Sequence, residues 1–351
     1  MGYKDISKLI ESIIEQKYQY CEILILRNGL CNIKNKSKRK TGNITYSKSD
    51  VFIKEVFIRK KGKGNALNKG IELSKGNIIA VVDADCILSN DALKRAVKHF
   101  ENEDVVAVGG MLHTTNNNGT LLERIQCFEY IKSFQFARRI FARINGQCII
   151  SGAFGLFRKS ELIKIGGYDI NTVGEDMEIV LRLQDEGIKR SNKIIVYETN
   201  AICETKVPYK LNRLFHQRDR WQRGLLDCII KHKNMVFNPH YGVLGVFTLS
   251  YQIWFELFKP IFIILRYIFT VYLLINHFYL ILFYWLLTII SIEFIVSFIA
   301  EYFELDKNIW KLIKKIPYIL VMIIVMLIYQ IPIAFARLYG MITFHFRKMV
   351  W

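Results

Sequence analysis

The last third of the chain restricts its folding more than any other feature. Beyond about residue 245, three stretches are apolar for nearly the length of a membrane crossing, at about 259–276, 279–300 and 316–337. A helix needs roughly 20 apolar residues to cross about 30 Å of hydrocarbon, where no open backbone group can be satisfied. Three spanning helices are therefore expected. A shorter segment, FTLSYQIWFELF at 247–258, contains Glu256 and reads as an interfacial helix ahead of them. The connection between the second and third stretches holds Lys307, Lys311, Lys314 and Lys315. Cationic loops favour the cytoplasmic side, so a multi-pass protein of the cell membrane is expected, with 1–240 as a cytoplasmic domain and 241–351 as the membrane region.

Two charges fall inside these spans, Arg266 and Glu293. At about 1.5 Å per residue, each lies roughly 12 Å from the cytoplasmic end of its helix. They are expected to pair with each other and lock the hairpin.

The two halves also differ in composition. The chain is 52% hydrophobic with a mean hydropathy of +0.19, yet carries a formal charge of +18 from 49 Lys and Arg against 31 Asp and Glu. Such an excess suits a phosphate-bearing ligand or an anionic membrane surface. Nucleic acid is not an expected partner, because the basic residues are scattered and no zinc spacing, RNP-like run or heptad-linked basic region occurs. The seven cysteines never form a C-x-x-C and read as reduced packing residues.

Up to residue 240 the order reads helix (6–16), strand (21–28), polar loop, strand (51–59), helix (65–75) and strand (77–82). Alternation of this kind indicates an α/β layer with a mostly parallel sheet. Ligands of such sheets bind beyond the carboxyl ends of the strands. There the run NIIAVVDADC ends on Asp83 and Asp85, which strand geometry would aim the same way. Two close carboxylates need a cation or donor groups, so the pair reads either as a divalent-metal site or as solvated acids at a turn. Upstream, RKKGKGNALNKG (59–70) offers Lys63 among glycines at a helix start, either a phosphate cradle or a basic turn. Further on, Glu175 and Asp176 open a helix, where they either complement its dipole or supply a general base. Finally, HQRDRWQRG (216–224) sets Gln217, Arg218, Arg220 and Trp221 together. Arginine forks match phosphate and an indole face stacks on a sugar, while a basic interfacial helix has the same composition.

Taken in order, K-G-K-G-N-A-L-N, V-V-D-A-D, S-G-A, G-E-D, Q-R-D-R-W and an apolar hairpin resemble the family 2 glycosyltransferases. The resemblance is to the membrane-bound branch with poly-β-1,6-N-acetylglucosamine, chitin, hyaluronan and cellulose synthases. It implies a GT-A fold, a Rossmann-like α/β domain, followed by an α-helical membrane region. It further implies transfer from a UDP-sugar donor to an oligosaccharide acceptor that grows as a β-linked polysaccharide, or alternatively transfer of a single sugar to a lipid-linked acceptor. Asp85 would hold Mg²⁺ or Mn²⁺, Asp83 would lie near the nucleoside, and Lys63 would contact the nucleotide. Asp176, beside Glu175, would take the proton of the acceptor hydroxyl in a single inverting displacement. Gln217, Arg218 and Arg220 would line the pyrophosphate and acceptor side, with Trp221 under the acceptor sugar. The stretch 121–139 resembles the poly-N-acetylglucosamine branch, which points to that sugar.

Two departures accompany the resemblance. The family opens with a strand of the V-S-V-I-I-P-x-x-N-E type, which is not found here, and Arg27-Asn28-Gly29 stands where D-D-G or D-G-S is usual. The expectation is a GT-A domain lacking its first strand, with an open sheet edge. Such a chain is read as an N-terminally truncated enzyme, as one completed by an auxiliary membrane subunit, or as a catalytically impaired partner subunit.

Overall fold

The computed structural model of the protein describes residues 3–18, 21–28, 45–48, 51–58, 62–115, 119–189 and 193–346. The polar loop at 29–44 and the cations at 59–61 lie outside these residues. The chain runs α1 (Tyr3–Ile14), β1 (Glu22–Asn28), β2 (Thr45–Lys48), β3 (Val51–Ile58), α2 (Lys63–Leu73), β4 (Ile78–Val82), β5 (Ile87–Leu88), α3 (Ala92–Lys98) and β6 (Val105–Thr114). It continues with α4 (Leu121–Ile131), a π turn at Lys132–Ala137, α5 (Arg138–Arg143), β7 (Phe154–Arg158), α6 (Lys159–Lys164), α7 (Glu175–Lys189), β8 (Ile194–Thr205) and α8 (Leu211–Lys231). The last helices are α9 (Leu249–Tyr251), α10 (Lys259–Ile275), α11 (Tyr279–Glu304) and α12 (Ile309–Ile342).

Contacts divide the chain into two units, one of residues up to Leu112 with Gln147–Thr205, the other of His113–Gly146 with Lys206–Arg347. In the first unit the expected α/β alternation is present, but the strands fall into two sheets, β1-β3-β2 and β4-β7-β6-β8-β5. β1 and β3 run parallel, whereas β2·β3, β4·β7, β6·β7 and β5·β8 are antiparallel. The expectation of a mostly parallel sheet is therefore corrected. Strand-helix alternation fixes the layers but not the direction of a strand such as β7, which returns to the sheet after a long excursion. β6 shows the continuous apolar burial of a strand covered on both faces, from Val105 to Leu112. The core beneath α2 and α7 gathers Ile71, Val81, Ile150, Phe157, Leu162, Ile179 and Val180.

The second unit is helical. Its core packs Ile125, Phe128 and Leu214 with Leu312, Ile319, Met322 and Met326 of α12. Two helices, α11 with 26 residues and α12 with 34, are long and apolar enough to cross a membrane. The first expected span instead forms the 17-residue α10. It reaches that criterion only together with Leu244–Leu257, from which it is bent by 50°. Pro260 in the first turn of α10 suits a helix start, where its missing N–H costs nothing. Arg266 and Glu293 do not pair as expected. Arg266 donates to Gln330 Oε1 at 2.9 Å on α12, and Glu293 accepts from Lys132 at 2.7 Å on the π turn. Each charge has found a partner on a third helix rather than across the hairpin.

Within β6, a Cβ on Gly110 would overlap the Phe154 ring and approach Ala201 O to 2.8 Å. Gly110→Ala is expected to lower stability by about 1–3 kcal/mol through overpacking, read as a depressed thermal midpoint of the detergent-solubilised chain.

Candidate functional site

Three element ends of the first unit meet around one ammonium. β4 stops at Val82, and Asp83 to Asp85 form a turn closed by the Cys86 N–H, which donates to Asp83 O at 3.1 Å. The Asp83 N–H still donates to Ala153 O at 3.1 Å, so the same-face argument for the two acids fails because the backbone turns between them. Lys63 is the first residue of α2, directly after Gly62, whose φ of 118° is a conformation that other residues rarely adopt. Its Nζ lies 3.0 Å from Asp83 Oδ1 and 3.3 Å from Glu175 Oε1, and donates to Gly152 O at 3.4 Å. A Cβ at Gly152 would come within 3.0 Å of that nitrogen. The S-G-A stretch therefore supplies the close approach that lets lysine and carboxylates converge.

Glu175 and Asp176 occupy the first turn of α7. The turn before them is held by buried Thr172, whose Oγ1 accepts from the Gly174 N–H at 3.1 Å. Arg182, one turn on, grips Glu178 through Nε and Nη2, both at 2.6 Å. It also donates to Ile165 O at 2.6 Å and Gly167 O at 2.7 Å. Asn68 of α2 pairs with both backbone groups of Tyr168, donating to its O at 2.8 Å and accepting from its N–H at 2.7 Å. These two residues register α7 and α2 against the same loop.

The electrostatics follow from burial and charge. Burial alone would lower the Lys63 ammonium, but Asp83 and then Glu175 outweigh it and push it up to about 12. Burial first, and Asp176 second, push Glu175 up to about 7 in spite of Lys63. Glu175 Oε2 is buried without a hydrogen-bond partner, and Tyr168, fully enclosed beside these acids, is pushed up chiefly by burial. A cavity of about 10 Å³ lies among Lys63, Gly152, Tyr168, Glu175 and Asp176, room for a single water. Among the described residues no group of three His, Cys, Asp or Glu side chains could hold a metal by itself.

The remaining sequence candidates lie on α8 in the second unit. Arg218 is buried, donates to Glu129 Oε2 at 2.6 Å and stacks its guanidinium 4.7 Å from the Trp221 ring centre. Tyr329 OH donates to the same Glu129 oxygen at 3.2 Å. Trp221 is exposed, Arg220 is partly buried, and the Gln217 amide oxygen is buried without a hydrogen-bond partner. Asn68 and Gly152 lie within the K-G-K-G-N-A-L-N and S-G-A motifs but drew no role of their own, because they act through contacts distant in sequence, and Arg182 left only its i,i+4 spacing from Glu178.

Residues 78–346 match the family described as "Glycosyl transferase family group 2". The chain is similar to the poly-β-1,6-N-acetyl-D-glucosamine synthase of Staphylococcus aureus, 27% identical over 228 residues, covering 64% of this chain and 52% of that protein. It is also similar to the synthase of the same name from Staphylococcus epidermidis, 30% identical over 227 residues, covering 63% and 52%. The chain thus spans about half the length of the relatives it matches. Among solved structures it is similar to the mannosyltransferase PcManGT of Pyrobaculum calidifontis in complex with GDP-Man and Mn²⁺, at 17% identity, 66% and 61% coverage and a TM-score of 0.48. It is similar as well to S. aureus TarS 1–349 in complex with UDP-GlcNAc, at 12% identity, 74% and 75% coverage and a TM-score of 0.42.

The raised Glu175 makes the fold pH-dependent. The folded chain holds a proton there up to about pH 7, while the ordinary value is 4.5. Stability present below the lower value is lost as pH rises through the upper one. The thermal midpoint is expected to fall between pH 5 and pH 8 by the equivalent of about 1–3 kcal/mol, and Glu175→Gln to flatten that decline.

Proposed function

Because the chain belongs to the glycosyl transferase family group 2, we propose that it transfers N-acetylglucosamine from a UDP-sugar to a growing β-linked polysaccharide at the cytoplasmic face of a membrane. The observation that carries this reading is the convergence of Asp83, Lys63 and Glu175, beside Asp176, at the ends of β4, α2 and α7. Asp176 is the general base: its carboxylate takes the proton as the acceptor oxygen bonds to the anomeric carbon. The bond from that carbon to the diphosphate oxygen breaks with its electron pair, and the configuration inverts. Lys63 offers positive charge to the nucleotide diphosphate. Trp221 presents an exposed ring for the acceptor sugar, with Gln217, Arg218 and Arg220 on the same helix segment.

The donor set fits a divalent cation shared with substrate. Asp83 and Asp85 are carboxylates at a half-buried turn, without a third protein ligand among the described residues. Mg²⁺ is commonly bound in this way, through one or two carboxylates plus substrate phosphates. Asp85 would hold Mg²⁺ or Mn²⁺, which when bound offsets the charge of the departing diphosphate. The runner-up reading, a partner subunit without turnover, is favoured by Arg27, whose guanidinium is ion-paired to Glu55 where relatives place an acidic motif.

Membranes containing the chain are expected to release UDP from UDP-N-acetylglucosamine with Mn²⁺, and Asp176→Asn to slow release by about 10²–10⁴-fold. Release no faster than that of Asp176→Asn would leave the partner-subunit reading.

A further inference from the structure

Two enclosed polar groups of the first unit meet beside the Lys63 ammonium without bonding to each other. Glu175 is 4% exposed, and its Oε2 has no hydrogen-bond partner. The protons around it are committed elsewhere. The three N–H groups of the ammonium are directed to Asp83 Oδ1, Glu175 Oε1 and Gly152 O, at 3.0, 3.3 and 3.4 Å. Asp176, the next residue, turns its Oδ1 to the Met177 N–H at 3.0 Å. Tyr168 brings the second group. Its ring is enclosed edge-to-face against Phe157, with centres 6.3 Å apart, and the acids that bear on its hydroxyl are Glu175, Asp176 and Asp83. A buried phenol calls for a partner, yet Glu175 Oε2 receives no bond from it.

The chain holds Tyr168 firmly in this place. Gly167 before it has a φ of 74°, and a Cβ there would overlap the Asn68 side chain. That same amide binds both backbone groups of Tyr168. The cavity that Tyr168 lines with Glu175, Lys63 and Gly152 measures about 10 Å³. Such a space takes one water, and its polar lining offers the two to four partners that a buried water needs.

We propose that one structural water bridges the Tyr168 hydroxyl and Glu175 Oε2, and that Tyr168 acts through it as a positioning residue for Lys63. A water that donates to the carboxylate favours its charged form against burial. The ammonium then lies between two anions instead of being drawn to Asp83 alone. The bridge stands on packing and hydrogen bonding, whereas its use to a nucleotide diphosphate rests on the sugar-transfer reading.

The test is the thermal midpoint of the full chain in detergent, followed from pH 5 to pH 9. The charged groups around Glu175 and Tyr168 are Lys63 of α2, Asp83 after β4, and Asp176 and Arg182 of α7. In the wild type the decline with pH is expected to level off at about 7, the value to which Glu175 is pushed up. Tyr168→Phe keeps the ring and removes the hydroxyl, and is expected to move that point up by about one pH unit. In a Glu175→Gln background it is expected to leave the profile unchanged. Val81→Ile adds a methyl at the cavity wall and is expected to act like Tyr168→Phe, deciding the matter should that variant not fold. A point that stays in place, or a profile altered as much in Glu175→Gln, would overturn the bridge. Calorimetry of UDP binding with Mn²⁺ reads the role of Lys63, with Tyr168→Phe expected to weaken binding about ten-fold. A moved profile with unchanged UDP affinity would overturn the positioning role. Absence of UDP binding by the wild type would instead count against the sugar-transfer reading, with the pH profile still deciding the bridge.

Discussion

The position of Lys63 is the constraint on which the site depends. A cation in the first turn of a helix opposes the helix dipole, by about 0.3–1 kcal/mol, so this placement does not serve α2. It is offset by Asp83 and Glu175 within 3.3 Å. Without the ammonium, Glu175 and Asp176 would confront Asp83 with no compensating charge in a partly desolvated place, an arrangement that costs several kcal/mol. The acids and the lysine therefore require one another, and the surrounding chain is arranged to let them meet. Gly62 supplies the turn that starts α2 at Lys63, and Gly152 leaves room for the ammonium.

Holding opposed charges at a fixed spacing demands stiffness from neighbours that carry no chemistry. Arg182 distributes four hydrogen bonds between Glu178 and the carbonyls of the Gly166–Gly167 turn, so α7 cannot slide along its axis without breaking them. Asn68 treats Tyr168 as a strand neighbour would, bonding its N–H and its carbonyl together. The result is a rigid frame around a mismatch that remains, the unpartnered Glu175 Oε2. A buried acid kept partly protonated in this way can donate as well as accept, a property an ordinary surface glutamate lacks near neutral pH.

Much of this was legible in the residues. The strand ending at Val82, the helix beginning near Lys63 and the acidic start of α7 all followed from local pattern, and the family followed from their order. What local pattern could not carry was direction and partnership. β7 is as apolar as a parallel strand, and nothing in Phe154–Arg158 reveals that it runs against β4. Strand spacing suggested a shared face for Asp83 and Asp85, but the backbone turns between them, directly after Asp83. The charges in the apolar helices were visible, and pairing them by depth alone missed Lys132 and Gln330, which arrive from other helices. β2 was hidden in a polar stretch because an edge strand needs few apolar side chains.

The α8 motif shows how one run of residues divides its labour. Arg218, Asp219, Gln222 and Arg223 are buried, and the first is committed to Glu129, which also accepts from Tyr329 of α12. Drawing that guanidinium away to a phosphate would strand a carboxylate among helices, a loss of about 3–5 kcal/mol for a buried pair. Asp219 is equally enclosed: a Cβ on Gly340 would lie 2.8 Å from its carbonyl oxygen, so α12 packs directly on this turn. Arg218 thus joins helices before it can serve a ligand, and Arg223 is held by Asp219 of its own helix. Trp221 is different, since its ring is exposed and rests on the Arg218 cation. An indole held flat by a guanidinium that is itself anchored loses little freedom on meeting a sugar, which is the condition for a stacking platform to contribute affinity.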